Sequence, residues 1–393
     1  MAGDRDLEAG QQPALDVTGE EPVEVGEAGG VEAELVGAEI VAHWPDPSTR
    51  GNRVRHRTPH RPTVAPMPAQ ATTLSAADLE PFRKQLTGYC YRMLGSGSEA
   101  EDAVQETMIK AWRHLDRFEG RASLKSWLYR IATNTCLDMM QGPQRRARPM
   151  DLSPASTADT LLGAPVTEAT WVQPVPDALV LSGDGDPAEV AAERESIRLA
   201  FVATLQHLPA RQRAVLILRE VLRWQATEVA DLLGTTVASV NSALQRARAT
   251  LDDLGLDSVE ASAAAATVTE GDQQALLDSF LAAFEAYDVE GIVGLLRDDV
   301  EFSMPPFELW LRGPDQVAAW LVGQGAVCEN ARLLPVQANG APGFACYHAA
   351  GEGRWEPWCI QVFETNGAQI TGWHNYIGAE HFVRFGVPDH LAA

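Results

Sequence analysis

The stretch that decides the fold is ATEVADLLGTTVASVNSALQRARATL, residues 226–251. Apolar residues recur at helical spacing on both sides of Gly234, which supplies a tight turn. In the second run, the residues spaced to face a core are Val237, Val240, Leu244 and Ala247. This succession of helix, turn and helix predicts a helix-turn-helix unit.

The opposite face of the second run carries short polar and basic side chains: Thr236, Ser239, Asn241, Ser242, Gln245, Arg246 and Arg248. Short polar side chains can reach base edges in the major groove, and arginines hold phosphates. These residues are therefore candidates for duplex DNA binding. An ordinary amphipathic surface helix is the alternative that this segment alone leaves open.

Working outward, two helical blocks are predicted, over residues 74–149 and 189–254. In the second block a long helix from about residue 189 to 205 and another over 210–222 precede the helix-turn-helix. The first block mixes aromatic with basic residues, as proteins that bind single-stranded nucleic acid do: Phe118, Trp127, Tyr129, Arg117, Arg121, Lys125 and Arg130. The aromatic residues could equally be core.

The remaining segments divide the chain further. Residues 1–73 are predicted to be a disordered tail, 150–188 an acidic Pro-containing linker, and 255–269 a second linker. Residues 270–393 alternate helical and strand-like runs and predict an α+β domain with a curved antiparallel sheet. Trp171 lies inside the first linker. A single tryptophan in such a segment indicates that the linker could dock on another part of the protein. The fold class is multidomain, with two all-α domains and one α+β domain.

Charge is distributed unevenly. The net charge is −23, yet Lys and Arg outnumber Asp and Glu over residues 74–149 and over residues 194–254 of the second block. Because DNA affinity depends on local phosphate neutralisation, only those blocks are candidates for it. No signal peptide or membrane span is expected, which predicts a cytoplasmic protein without membrane contact. The five cysteines lack zinc-ligand spacing, so buried reduced thiols are expected, with no metal or cofactor.

Two stretches then carry a resemblance. SEAEDAVQETMIKAWRHLDRFEGRASLKSWLYRIATNTCLDMM, residues 98–140, resembles the second region of sigma-70 family sigma factors of the extracytoplasmic-function (ECF, group four) type. LPARQRAVLILREVLRWQATEVADLLGTTVASVNSALQRARATL, residues 208–251, resembles their fourth region. Both occur in the order of that family, which implies a promoter-reading subunit of core RNA polymerase that promotes strand opening.

The resemblance implies roles for particular residues. Those implied to bind the polymerase clamp are Asp102, Gln105, Glu106, Lys110 and Trp112. Those implied to bind the opened minus-ten element are Arg117, Phe118, Arg121, Ser123, Lys125, Trp127, Arg130 and Asn134. The helix of residues 236–248 would read the minus-thirty-five duplex, and Arg211, Arg213 and Arg219 would contact polymerase or the DNA backbone. Many relatives have basic residues where this chain has Asn241 and Ala243, which implies a weaker phosphate grip.

The last domain resembles the NTF2-like, or SnoaL-like, cone fold, on LLDSFLAAFEAYDVEGIVGLLRDDVEFSMPP (276–306) and LRGPDQVAAWL (311–321). With WVQPVPD (171–177) in the linker, the whole looks like actinobacterial SigG-type sigma factors with a fused SnoaL-like domain. The Asp-Gly-Gly-Gly motif of one related subgroup is not visible in the sequence. A pocket for a small apolar ligand would be lined by Phe302, Met304, Trp310, Trp320, Tyr347, Trp358, Phe363, Trp373, His374 and Tyr376, and a filled core is the alternative.

The leading interpretation is a sigma factor, not an enzyme, whose activity the C-terminal domain modulates in cis. Its acidic character and two tethers motivate that modulation. A polymerase-independent helix-turn-helix regulator is the alternative. An isomerase or cyclase in the C-terminal domain is another, with Asp288, Asp299 or His374 as base. The partners expected are core RNA polymerase (clamp and flap) and promoter DNA. The sequence does not indicate whether a separate anti-sigma factor exists.

Overall fold

The computed structural model describes residues 74–120, 122–141, 146–181, 186–253 and 270–393. The predicted tail 1–73 and second linker 255–269 lie outside these residues. In the part that is described, no helix is long and apolar enough to cross a membrane.

The first helical block consists of three helices that pack on one another, with short 3₁₀ turns before the first and between the second and third. They are α1 (Arg83–Leu94), α2 (Gly97–Arg113) and α3 (Leu124–Met139). Gly95, in the left-handed region at φ 71°, ends α1, and the Ser96 hydroxyl caps α2 by accepting from the Glu99 amide. The Ser123 hydroxyl caps α3 in the same way through the Ser126 amide at 3.0 Å. The sequence signals for these helices are therefore met by local capping.

The first linker is mostly extended, with two single helical turns, α4 (Pro149–Leu152) and α5 (Asp177–Val180). It is nevertheless packed against both neighbours. Trp171 is 2% exposed, and it forms a short parallel bridge with Ala147 at the end of the first block. The tryptophan that the sequence singled out is thus docked.

The second helical block comprises α6 (Pro187–Glu195), α7 (Leu199–Leu205), α8 (Ala210–Leu216), α9 (Ala226–Leu233) and α10 (Val237–Asp253). A π-helical turn, Ile217–Val221, extends α8. Gly234, at φ 60°, makes the turn between α9 and α10, as the sequence predicts. The long helix expected over 189–205 is instead broken at residues 196–198, because other parts of the chain bind the carbonyls exposed there.

The C-terminal domain contains α11 (Glu270–Glu285), α12 (Val289–Gly294), α13 (Pro314–Val322) and α14 (Glu380–Phe385). Its strands are β1 (Leu296–Ser303), β2 (Trp310–Arg312), β3 (Arg332–Ala338), β4 (Ala341–Gly351), β5 (Arg354–Thr365), β6 (Ile370–Ile377) and β7 (Leu391–Ala392). The sheet order is β2-β1-β6-β5-β4-β3, and β7 pairs with β5. All described pairings are antiparallel except β1 with β6.

This sheet has two buried faces. One face packs on α11, α12 and α13 around Phe302, Phe363 and Trp373. The other face carries Ala345, Ile360, Val362 and Tyr376, which belong to the same apolar cluster as both helical blocks. Since successive strand residues point to opposite faces, the strands are apolar on both sides. The C-terminal domain therefore shares a core with both helical blocks.

Candidate nucleic-acid interface

A groove runs along each side of α2. The first, of about 580 Å³, is lined by four of the residues predicted to bind polymerase, Asp102, Gln105, Glu106 and Lys110, together with α3 residues. The second, of about 450 Å³, lies between α2 and the 3₁₀ turns before α1 and is lined in part by Trp112. The Trp112 side chain is 62% exposed, which is unusual for tryptophan in a folded domain. Such exposed apolar surface is typical of a protein-binding site.

The residues predicted to bind the minus-ten element lie on α3 and on the loop before it. Arg117, Ser123, Lys125, Arg130 and Asn134 are exposed. Phe118 and Trp127 are half-buried, with ring centroids 5.2 Å apart. The ring pair and these polar and basic side chains therefore lie within one short stretch of the chain, residues 117–134. Arg121 lies outside the described residues.

Tyr129, grouped with these aromatic residues in the sequence, is buried and serves the core. Its ring lies 5.2 Å from that of Tyr89 and 5.1 Å from that of Trp224. Trp224 belongs to the second helical block, in the turn before α9, and is 7% exposed. The ammonium of Lys125 lies 5.9 Å from the Tyr129 ring and 6.0 Å from the Trp224 ring. The turn of one block thus covers part of the other.

A hydrogen bond continues this contact. The Arg130 guanidinium, on α3, donates to the backbone carbonyl of Asp231, on α9, at 2.6 Å. The first helix of the helix-turn-helix therefore lies against the helix predicted to bind the minus-ten element.

The helix-turn-helix presents its second helix outward. The residues predicted to read the minus-thirty-five duplex are exposed, except for the half-buried Ser242: Thr236, Ser239, Asn241, Ser242, Gln245, Arg246 and Arg248. The Thr236 hydroxyl caps α10 by accepting from the Ser239 amide at 3.1 Å. Two arginines already have partners, since Arg246 donates to Ser242 Oγ at 2.6 Å and Arg248 to Glu220 at 2.6 Å. Both partners are surface groups that a phosphate could replace.

Arg213 differs from the other arginines of its group. It is 5% exposed and donates to the carbonyls of Met93, Gln206 and Leu208. Because it joins α8 to the end of α1, it holds the two helical blocks together. Arg211, two positions earlier, is exposed. The resemblance had grouped both as contacts to polymerase or the DNA backbone. Their burial differs, so Arg213 joins the two blocks, whereas Arg211 remains available for such a contact.

Arg92 makes a second buried bridge between the blocks. Its guanidinium donates to Ser196 Oγ at 2.6 Å and to the Ser196 carbonyl at 3.1 Å. Burial lowers the pKa of Arg92 to about 10, so it stays charged at neutral pH. Nothing in the helical spacing of residues 189–205 distinguished Ser196 as an acceptor for a distant arginine.

The residues of the predicted pocket are divided between the two faces of the sheet. Phe302, Trp320 and Trp373 belong to the inner cluster, where Phe280 lies 5.1 Å from Trp373, ring to ring. Met304, Trp358 and Phe363 belong to the same cluster, whereas Tyr347 and Tyr376 belong to the cluster shared with the helical blocks. The remaining aromatic, Trp310, donates through Nε1 to the carbonyl of Ser153 in the linker at 2.9 Å.

His374 follows Trp373 on β6 and so points to the opposite face. Its Nδ1 lies 2.9 Å from Ser303 Oγ, and burial lowers its pKa. Asp288 instead caps α12 by accepting from the Gly291 amide at 3.0 Å, and Asp299 is exposed and pairs with Arg297. The three residues considered as catalytic bases therefore lie in separate environments.

Comparison with known proteins identifies the two blocks. Residues 79–146 match the family model for sigma-70 region 2, and residues 198–251 match that for sigma-70, region 4. The chain is 39% identical to the ECF RNA polymerase sigma factor SigG of Mycobacterium tuberculosis, over 80% of this chain and 84% of SigG. It is 26% identical to ECF RNA polymerase sigma factor SigJ of that organism, over 64% of this chain and 73% of SigJ.

The fold also has a solved counterpart. The crystal structure of Mycobacterium tuberculosis extracytoplasmic function sigma factor SigJ matches with a TM-score of 0.51 and 22% identity, over 80% of this chain and 100% of that one. The chain belongs to the ECF RNA polymerase sigma factors. It directs core RNA polymerase to specific promoters for transcription initiation, and its own role is not catalytic. The predicted fold class and family are thereby confirmed.

Proposed function

We propose that the free chain is a sigma factor held in a closed state, in which the two promoter-reading blocks lie against each other. The observation that carries this proposal is the contact of α3 with the second block, through the Arg130–Asp231 hydrogen bond and the Tyr129–Trp224 ring contact. Reading a promoter then requires that this contact break.

The spacing of promoter elements supports the separation. Elements centred near minus ten and minus thirty-five are about 25 base pairs apart, which is about 85 Å of B-form duplex. In the closed state α9 is within hydrogen-bond distance of α3. One promoter therefore cannot occupy both surfaces at once unless the blocks move apart, and core polymerase supplies the binding free energy for that movement.

We assign the surfaces as follows. The grooves beside α2 accept helices of the polymerase clamp, and the exposed Trp112 anchors that contact. The Phe118–Trp127 pair with Lys125 and Arg130 captures unstacked bases of the minus-ten element and promotes strand opening. The polar face of α10 reads the minus-thirty-five duplex, and the second block reaches the polymerase flap. The chain acts in the cytoplasm, where polymerase is.

The C-terminal domain stabilises the closed state and so inhibits the sigma activity in cis. Its support is the apolar cluster that the outer sheet face shares with both helical blocks. In addition, Arg384 of α14 lies 3.5 Å from Glu101 on α2, next to the predicted polymerase-binding residues. The acidic charge of the domain is not needed for this role, since the shared surface is mainly apolar. No contact among the described residues favours a small apolar ligand, because aromatic rings pack directly on one another inside the sheet.

Run-off transcription tests the proposal. A protease site placed within residues 255–269 allows the C-terminal domain to be detached after the chain has folded. Purified core polymerase is then given the intact or the cleaved chain, on fragments covering the host genome. We expect specific transcripts with both and more with the cleaved chain. Equal yields from intact and cleaved chains, with the domain shown to have dissociated, would contradict inhibition in cis.

A further inference from the structure

The turn between β3 and β4 enters the interior of the molecule, at a place where four separate segments meet. Asn339 and Gly340 form this turn with φ of 58° and 69°, the backbone that a two-residue hairpin with Asn-Gly adopts. A hairpin turn of this composition normally faces solvent, yet Asn339 is 1% exposed. Its burial is therefore a feature to be explained by what it binds.

The Asn339 side chain binds a different segment with each of its polar contacts. Nδ2 donates to Tyr91 Oη of α1 at 2.5 Å and to the Ile197 carbonyl, between α6 and α7, at 2.8 Å. Oδ1 accepts from the Val175 amide of the linker at 2.9 Å. One amide group thus joins the first block, the linker and the second block to the C-terminal domain.

The surrounding contacts complete this arrangement. The Asn339 amide donates to the Val175 carbonyl at 3.0 Å, and Tyr91 Oη donates to the Gln173 carbonyl at 2.7 Å. The Gly340 amide donates to Asp177 Oδ1 at 2.7 Å. A Cβ on Gly340 would lie only 2.6 Å from the Arg194 carbonyl, so only glycine lets the turn approach this closely.

We infer that this turn is the latch of the closed state: the Asn339 side chain, bound to Tyr91, Val175 and Ile197, holds both promoter-reading blocks on the C-terminal domain. The expectation that opening the latch raises transcription rests on the function proposed above. The existence of the latch does not depend on that function. All of its partners are buried polar groups in a mainly apolar cluster. Without Asn339 they regain hydrogen bonds only if water enters, and water enters when the turn withdraws.

Asn339→Gly is the first test, because glycine keeps the positive-φ backbone and removes only the side-chain contacts. Asn330→Gly is the matched control. Asn330 also has a positive φ, of 64°, and lies in the same domain, but it is exposed. Spin labels at the exposed positions Arg113 on α2 and Ser279 on α11 report the distance between the first block and the C-terminal domain. Cys328→Ser removes the one half-buried cysteine, and the other four are buried.

We expect one short distance in the intact protein and in Asn330→Gly, and an additional longer distance in Asn339→Gly. Tyr91→Phe, which removes the oxygen that accepts from Asn339 Nδ2 and donates to the Gln173 carbonyl, gives the same direction of change. The double variant then opens by less than the sum of the two single variants, since they share a bond. An Asn339→Gly distance distribution identical to that of Asn330→Gly would overturn the latch.

Run-off transcription by the same variants separates the two proposals. If Asn339→Gly opens the chain and raises transcript yield severalfold above Asn330→Gly, both the latch and the inhibition in cis stand. If it opens the chain with unchanged yield, the latch stands and the inhibition in cis fails. If transcription rises while the distance does not change, the latch fails.

Discussion

The helix α10 exposes its polar face along the positions predicted to read duplex DNA, whereas α3 bears part of the second block on the surface predicted to bind single-stranded DNA. Both helices carry a similar mixture of polar and basic residues. The difference lies in their neighbours, since the turn containing Trp224 packs on Tyr129 of α3, whereas α10 packs on α8 and α9 of its own block. If the closed state proposed above forms, closure acts on the minus-ten surface more directly than on the minus-thirty-five surface.

The largest effect on stability is expected from removing the buried Arg213 bridge between the two helical blocks. Arg213→Ala leaves the Met93, Gln206 and Leu208 carbonyls without their donor. We expect it to lower the free energy of unfolding by about 4 kcal/mol, measured by urea denaturation. Arg211→Ala, on the same helix but exposed, should change it by less than about 0.5 kcal/mol. Equal effects would show that Arg213 does not join the blocks.

Trp224→Ala should make the surface of α3 as accessible to DNA as that of α10. Loss of this buried ring is expected to cost about 3 kcal/mol of stability and to expose Tyr129. The free chain should then bind a single-stranded minus-ten oligonucleotide more tightly, measured by fluorescence anisotropy. Trp112→Ala, at an exposed tryptophan, is the control and should leave stability within about 0.5 kcal/mol. Unchanged oligonucleotide affinity in a folded Trp224→Ala chain would argue that the second block does not cover this surface.

The linker contacts both blocks and contains Asp177. This residue should make the free energy of unfolding depend on pH. Burial raises the pKa of Asp177 to about 6 from 3.8. The folded chain therefore holds this proton more tightly, and the contribution to stability is complete below the unfolded pKa and lost as pH rises through about 6. Between pH 5 and pH 7 stability should fall by about 1 kcal/mol from this group. Asp177→Asn should remove that slope, and the exposed Asp159→Asn should keep it.

The smallest effect on the fold is expected at α10. Asn241→Ala, at an exposed position, should leave the free energy of unfolding within about 0.5 kcal/mol. If Asn241 contacts a base, binding of the complete holoenzyme to its promoter should weaken by about 1 kcal/mol, or about fivefold, in a filter-binding assay. Ala249→Ser, exposed farther along the helix, is the control. A loss that is the same on every promoter sequence would indicate a backbone contact instead.

Local signals predicted most of the helices and strands because each depends on neighbours in the sequence. Gly234 marks the turn of the helix-turn-helix, and Ser123 caps α3, as expected from their side chains. The prediction of one continuous helix over 189–205 was wrong for a non-local reason. Arg92 binds the Ser196 carbonyl and Asn339 binds the Ile197 carbonyl, so the chain is better satisfied with the helix interrupted there.

The residues of the predicted pocket are separated by the sheet. Trp373 and His374 are adjacent in the sequence and were grouped by composition, but a strand sends them to opposite faces. Which face meets the inner helices and which meets the helical blocks depends on the order of all seven strands. Amino-acid composition does not predict that order.

By itself, the sequence determined the two helical blocks, their order, their family and the polar face of α10, because periodicity and capping are properties of consecutive residues. Only the tertiary structure decided that Arg213 is buried while Arg211 is exposed, that Trp224 covers Tyr129, and that Asn339 binds three other segments. Those contacts join residues far apart in the chain. They form because a buried polar group needs a partner, and the packing of the whole chain determines which group is within reach.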